Sequence, residues 1–261
     1  FIYKELGEGQ AGTAGNFNLR MVWSETDFFS PRHMHNFDQV RVQIEGVFHF
    51  DTDGSMSPGS VGYFPEGTPY GPQTSDQATV ALVMQIGGAS GGGYLSEAER
   101  IAAVDALSQR GVFRNGRYYR EPDGSGPGMD GFQAAWEQAH GKRLRYPDPR
   151  FQKPMLCQPQ AMAWSPLGGA AGVDQKCVWD FGPHTVGLRQ YRLDAGASLA
   201  LQGPLSCFVE QGALRCSPQG AASGDAMRMG PFDTVHAQDG EHLQLHAEDT
   251  SQVMVFLHPH F

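Results

Sequence analysis

The sequence predicts a mainly β protein in which two β modules flank a helical segment, and three observations carry that prediction. Of 261 residues, 34 are Gly and 17 are Pro, so roughly a fifth of the chain consists of the strongest punctuators of regular structure. The apolar residues, 40% of the chain, fall into short β-prone runs separated by turn chemistry. This texture is interrupted once, over roughly residues 95–145, by capped helical patterns, and then resumes. With 11% aromatic and only 18% charged residues the chain is too hydrophobic to be disordered. It has no G-X-Y period, and no apolar run approaches the ~18 residues of a membrane span.

Strands are expected in the first module over residues 18–23, 39–50, 61–64 and 79–86, divided by Asp53-Gly54 and Ser57-Pro58-Gly59. The small-residue stretch 87–93 reads as a hinge leaving the module. Ser96 followed by Glu99 is a capping box that opens a helix over residues 101–108, closed by Gly111. Asp130 caps a second helix that runs through Phe132, Ala135, Trp136 and Ala139 to Gly141, with Pro147 and Pro149 beyond. Strands then recur over 177–181, 186–193, 207–209, 226–229, 242–247 and 253–257. Ile44-Glu45-Gly46 is echoed by Glu210-Gln211-Gly212, a weak sign of internal duplication. The expected domains are 1–94, a connector over 95–150, and 151–261.

The net charge is −9 and no stretch concentrates positive charge, which excludes nucleic acid as a partner of choice. Cys157, Cys177, Cys207 and Cys216 form no C-x-x-C pair and are expected to be reduced and mostly packed. Phe1 to Gly7 lack the basic and apolar regions of a signal peptide, and cytoplasm is the expected address.

The densest chemical signal is Arg32-His33-Met34-His35-Asn36-Phe37-Asp38-Gln39. In an extended strand, residues two apart share a face, so His33 and His35 present two imidazoles to one point. The spacing His33-x-His35, three residues, Gln39, six residues, Gly46 resembles the first motif of the cupin superfamily, with Gln39 where that family has Glu. Gly59, five residues, Pro65-x-Gly67, two residues, Tyr70 is similar to the second motif, with Tyr70 in place of His. The resemblance implies two cupin (double-stranded β-helix, jelly-roll) barrels. It also implies a divalent transition metal on His33, His35, Gln39 and Tyr70, iron first, with zinc, nickel or manganese as alternatives. An amide and a phenol in place of a carboxylate and an imidazole predict weak metal binding, with Gln73 and His49 as possible substitutes. In the second module Pro231-x-Asp233-x-x-His236 echoes the second motif, but Leu199, Leu201 and Leu205 stand at the ligand positions, so no metal site of this type is expected there.

Parity extends the pattern. If His33, His35 and Gln39 face the barrel interior, so do Arg41 and Gln43, while Val40, Val42 and Ile44 form an apolar outer face that needs cover from another sheet, the second barrel or a second subunit. An inward Arg41 requires a partner. That partner is either an internal acid, Asp38 or Glu66, or a ligand carboxylate or enolate gripped by the guanidinium fork. The expected substrate contacts are Arg41, Gln43 and Tyr63, and the expected catalytic groups Arg41 and Tyr70. Glu45 is expected in solvent, and His236, His258 and His260 outside any site.

The reading that follows is a metal-dependent, dioxygenase-like cupin acting on a small organic acid or diketone-like substrate, as a homodimer. Its rivals are a metal-free small-molecule-binding protein using the same Arg41 row, and a metal-assisted isomerase or lyase.

Overall fold

The computed structural model describes residues 2–13, 15–87, 94–220 and 226–260, and the chain divides into two units, Phe1–Leu156 and Cys157–Phe261. The first unit begins with β1 (Ile2–Glu8), β2 (Phe17–Ser24), β3 (Phe28–Ser30), β4 (Phe37–Glu45), β5 (Phe48–His49), β6 (Ser55–Met56), β7 (Val61–Phe64), β8 (Gln73–Ser75) and β9 (Thr79–Gly87). Next come α1 (Glu97–Ser108), a small antiparallel sheet of β10 (Val112–Arg114), β11 (Arg117–Tyr119) and β12 (Met129–Asp130), α2 (Gly131–His140), and β13 (Met155–Cys157). The barrel consists of a six-stranded sheet, ordered β1, β2, β9, β4, β7, β13, and a four-stranded sheet, ordered β3, β8, β5, β6.

Register turns the two-residue period into two faces. On one, Leu19 pairs with Met84, Met84 with Val40 and Val40 with Tyr63, and the next row runs Met21, Leu82, Val42, Val61. These side chains are buried within the chain itself, each contributing ~1.5–3 kcal/mol of apolar transfer. On the other face the rows run Asn18, Gln85, Gln39, Phe64, then Arg20, Val83, Arg41, Gly62, then Val22, Ala81, Gln43. This is the polar row expected inside the barrel.

The second unit holds β14 (Ser165–Pro166), β15 (Val173–Trp179), β16 (Gly187–Leu193), β17 (Ser198–Gln202), β18 (Leu205–Gln211), β19 (Leu214–Pro218), β20 (Met227–Met229), β21 (Thr234–Ala237), β22 (His242–Ala247) and β23 (Ser251–Leu257). Its sheets are ordered β14, β15, β16, β23, β18, β21 and β17, β22, β19, β20. The succession β15, β16, β23, β18, β21 repeats β1, β2, β9, β4, β7. Even the irregularity recurs, since β4 shifts register against β9 between Gln43 and Glu45, and β18 against β23 between Val209 and Gln211. Each of these strands ends at a left-handed glycine, Gly46 at φ +71° and Gly212 at φ +84°. The weak sequence echo thus marks a topological repeat. The interiors differ, because Leu199, Leu201, Leu205, Cys207, Leu245 and Val255 belong to one buried apolar cluster in the second unit. Leucines stand where ligands would, inside that buried apolar cluster.

Several expectations need correction. Residues 95–150 belong to the first unit, whose boundary lies after Leu156 rather than at 150. The run 39–50 is two strands broken at Gly46. α1 starts at Glu97 under the Ser96–Glu99 capping box, but its C-cap is Gln109, not Gly111; a side chain on Gly111 would strike the Tyr119 carbonyl. The hinge read over 87–93 lies outside the described residues except Gly87, which ends β9. α2 carries its Asp130 cap, bonded to Gln133 N at 3.0 Å, and its left-handed Gly141, as the sequence predicts. The four cysteines are free: Cys207 and Cys216 are buried, while Cys177 is exposed. No helix among the described residues is long and apolar enough to cross a membrane.

Candidate functional site

The inner face of the first barrel opens into a cavity of about 220 Å3. β2 lines it with Arg20, Val22 and Ser24, β9 with Thr79, Ala81, Val83 and Gln85, and β4 with Gln39, Arg41 and Gln43. Phe28 and Ser30 of β3, Gln73 of β8, Phe48 of β5, and His33 and His35 complete the wall.

His33 and His35 precede β4 in a segment pinned by the loop that carries the second motif. His33 N donates to Tyr70 O at 3.2 Å, Tyr70 N to His33 O at 2.9 Å, and Gly67 N to His35 O at 2.7 Å. Two motifs distant in sequence are therefore joined by backbone pairing. The imidazole rings lie 4.9 Å apart. His33 Nδ1 donates to Pro31 O at 2.7 Å, which fixes the tautomer and turns the Nε2 lone pair toward Gln73 Nε2 at 3.3 Å. His35 stacks on Phe37 at 4.4 Å, meets Phe132 of α2 edge-on at 5.5 Å, and sets Nε2 3.0 Å from Tyr70 Oη. Its buried Nδ1 has no partner among the described residues. Burial lowers the pKa of both imidazoles; Arg41 lowers both further, and His33 adds to the effect on His35. Both are neutral near pH 7.

Arg41 lies over three rings, Phe48, Phe50 and Phe64, at 5.5, 5.5 and 5.2 Å. Its Nη1 donates to Gln73 Oε1 at 2.6 Å. The hydrogen-bond network assigns the Gln39 amide with its oxygen toward Arg41, accepting from Nε at 2.9 Å, from Nη2 at 3.2 Å and from Tyr70 Oη at 3.3 Å. No carboxylate pairs with Arg41 among the described residues. The two internal acids considered from sequence are elsewhere: Asp38 faces away and accepts from Tyr63 Oη at 2.7 Å and Glu66 N at 3.0 Å, with its pKa pushed up to about 7 by burial. Among the described residues, the cavity lining holds two arginines and no Asp or Glu. Arg20 looks partly outward to Tyr94 Oη at 2.9 Å, with Glu97 at 3.9 Å and Glu5 at 4.0 Å. Arg41 is the uncompensated charge.

The structure thus brings together His33, His35, Gln39, Arg41, Gln43 and Tyr70, and it separates Tyr63 from them. Pairing of Val40 with Tyr63 sets that ring on the opposite face, fully buried against Asp38, so it is no substrate contact. Gln73 is in the cavity. His49 is not, and bonds Ser55 Oγ at 2.9 Å. His236 and His258 flank Ser206 in the second unit at 2.8 and 2.7 Å. Arg20, Val83 and Gln85 were missed from sequence. The alternation Asn18, Arg20, Val22 carried the signal, but it was readable only once β2 was paired through β9 to β4.

The donor set answers in two parts whether a divalent metal fits. The imidazole pair fits in part: both rings are neutral and His33 is oriented through its far nitrogen, but His33 Nε2 is met by the Gln73 amide and His35 Nε2 by Tyr70 Oη, and among the described residues no group of three or more His, Cys, Asp or Glu could hold a metal ion. Gln39 and Tyr70 do not complete the set, because the amide oxygen is engaged by Arg41, and burial raises the pKa of the phenol and keeps it protonated. The site as built has no negative ligand. A divalent ion at the imidazoles would be opposed by the charge of Arg41.

No protein-family model and no curated protein sequence matches the chain. Solved structures do match in fold. Oxalate decarboxylase from Bacillus subtilis superposes with a TM-score of 0.57 at 12% identity, covering 99% of this chain and 76% of its own. A variant of salicylate 1,2-dioxygenase from Pseudoaminobacter salicylatoxidans superposes with a TM-score of 0.58 at 16% identity, covering 94% and 70%. The Bacillus enzyme has also been solved in connection with its Mn(II) centres.

Proposed function

From a chain that is a two-barrel cupin by fold, we propose that the first barrel is the site of a metal-dependent, dioxygenase-like enzyme acting on a small organic acid. One observation carries the reading: a guanidinium with no carboxylate partner among the described residues faces a cavity of about 220 Å3 that it shares with two neutral imidazoles whose rings lie 4.9 Å apart. A half-buried cation without a counter-ion is costly, and a ligand carboxylate relieves that cost. The fold's solved neighbours, which include a salicylate dioxygenase and an oxalate decarboxylase, agree in kind with an acid substrate.

Arg41 grips the carboxylate, and the Gln39 and Gln73 carbonyls hold the fork in place. Phe48, Ala81 and Val83 wall the space beside it and exclude water. His33 and His35 are the residues that would hold the metal, with His33 locked in the ligating tautomer by Pro31 O. A divalent transition metal held there would supply a Lewis acid, and iron would supply reactivity toward dioxygen. Tyr70 holds a proton at Oη, 3.0 Å from His35 Nε2, and the upward shift of its pKa keeps that proton in place at neutral pH.

The test is metal content of protein purified without chelator, followed by oxygen uptake with monocarboxylic, hydroxybenzoic and oxo acids. Metal that is lost in His33→Ala and retained in His236→Ala, together with acid-dependent oxygen uptake, is the expected result. Metal without oxygen uptake would move the assignment to isomerase or lyase chemistry. No metal in the presence of any of these acids would leave a metal-free binding protein.

A further inference from the structure

We propose that the first barrel selects a monocarboxylate with a compact apolar body, bound without help from a metal: its one carboxylate sits on Arg41 and its carbon skeleton on the aliphatic and aromatic wall beside that residue. The inference rests on the acid site of the proposed function and deepens it, because it fixes the charge and shape of the acid and names the residues that select them.

Four observations on the cavity carry it. Its two arginines are not equivalent: Arg41 has no carboxylate partner among the described residues, whereas Arg20 already has Tyr94 Oη at 2.9 Å, Glu97 at 3.9 Å and Glu5 at 4.0 Å. A first carboxylate therefore meets an unanswered guanidinium, and a second meets one that is already answered. The wall next to Arg41 is apolar. Val83 stands opposite Arg41 in the ladder, Ala81 opposite Gln43 and Val22 opposite Ala81; the guanidinium lies 5.5 Å from the centre of the Phe48 ring, and the Phe28 ring is 5.4 Å from that of Phe48. All five of these side chains line the cavity, so methyl or ring carbon placed there gains ~25 cal/mol per Å2 while a carboxylate is desolvated without a partner. The histidine side supplies no second positive charge. His33 Nε2 is met by the Gln73 amide at 3.3 Å and His35 Nε2 by Tyr70 Oη at 3.0 Å, and burial favours the neutral form of both rings. Finally, the cavity of about 220 Å3 lies below the ~300–1,000 Å3 of sites for drug-sized ligands, which suits a single ring or a short branched chain.

The probes are matched pairs titrated by calorimetry into full-length protein that has been stripped with a chelator and dialysed free of it. Isobutyrate and methylmalonate differ by one methyl group exchanged for a second carboxylate, and benzoate and benzamide differ in charge with little change of shape. Isobutyrate and benzoate are expected to bind the stripped protein, methylmalonate to bind about tenfold more weakly or worse than isobutyrate, and benzamide not to bind. Arg41→Met should lose both monocarboxylates. Ala81→Leu, which fills the wall and leaves the guanidinium in place, should weaken benzoate more than acetate; together with the ligand series on the unaltered protein it keeps the inference testable if Arg41→Met fails to fold. Equal affinity for isobutyrate and methylmalonate overturns the selection of a single charge while leaving the acid site standing. Benzoate binding that appears only when Fe(II) is added back overturns the independence from metal and leaves the proposed function standing. Failure of every carboxylate to bind, with and without Fe(II), overturns the proposed function as well.

Discussion

Arg41 is the residue on which the proposed recognition of an acid turns, and its conformation is set by geometry that a lysine does not reproduce. Three guanidinium nitrogens are fixed by two amide oxygens, and the plane rests against three aromatic rings. Arg41→Lys keeps the charge but loses the fork, and calorimetric titration with benzoate should show affinity falling by roughly 10- to 100-fold, in line with the ~1.5–3 kcal/mol of a charged hydrogen bond. An unchanged affinity would place the acid elsewhere. Parity along β4 revealed from sequence that Gln39, Arg41 and Gln43 share the inner face, since the two-residue period is a property of any strand. That the Gln39 oxygen is engaged by Arg41 was not legible, because it depends on where two long side chains meet.

A second residue with a measurable consequence is His258 in the second unit. Burial, with His236 nearby, lowers its pKa to about 3, and Ser206 Oγ lies 2.7 Å from its Nε2. The unfolded chain takes up the proton near pH 6.5 and the folded chain does not, so stability is lost as pH falls from about 6.5 toward 3. At pH 4.5 this group alone removes on the order of 3 kcal/mol. His258→Gln should abolish that share of the acid loss in urea denaturation compared at pH 7 and pH 4.5, and identical pH dependence in the two proteins would refute it.

Among the elements, β4 shows how a single turn fixes a register. Gly46 at φ +71° ends the strand, and a Cβ there would lie 2.5 Å from Ala78 O and 2.9 Å from Thr79 Cγ2. Gly46→Ala combines left-handed strain with a backbone clash, and a loss of about 2–4 kcal/mol in denaturant titration is expected. The motif spacing put a glycine at this corner, and the structure gives the physical reason for it. The helices were also legible, because their caps are local: Ser96 with Glu99, and Asp130 with Gly141, are satisfied by neighbours within a few residues. Their use was not legible. α2 reads as part of a connector, yet its Phe132 packs against His35 and Phe37, so the insert helps to hold a site residue.

At the scale of the molecule, one strand succession is used twice with opposite fillings. The first barrel keeps a polar cavity, whereas the second packs leucines, valines and cysteines through its interior. Leu245→Ala, at a fully buried position in that second cluster, should cost ~2–5 kcal/mol of stability through cavity formation and leave benzoate affinity within twofold. A large loss of affinity in folded protein would show that the second unit takes part in recognition.

The sequence by itself determined the β class, the helix caps, the polar inner row of β4, the His33-x-His35 pair and the apolar filling of the second barrel. These follow from local periodicity, capping and turn chemistry, which act over a few residues. Only the tertiary structure decided that the loop at 65–70 pairs with His33 and His35, that Tyr63 falls on the wrong face, that Arg20 and Gln73 join the cavity, and that no acid among the described residues answers Arg41. Those are outcomes of register between strands distant in sequence, where a shift of one residue would exchange the two faces.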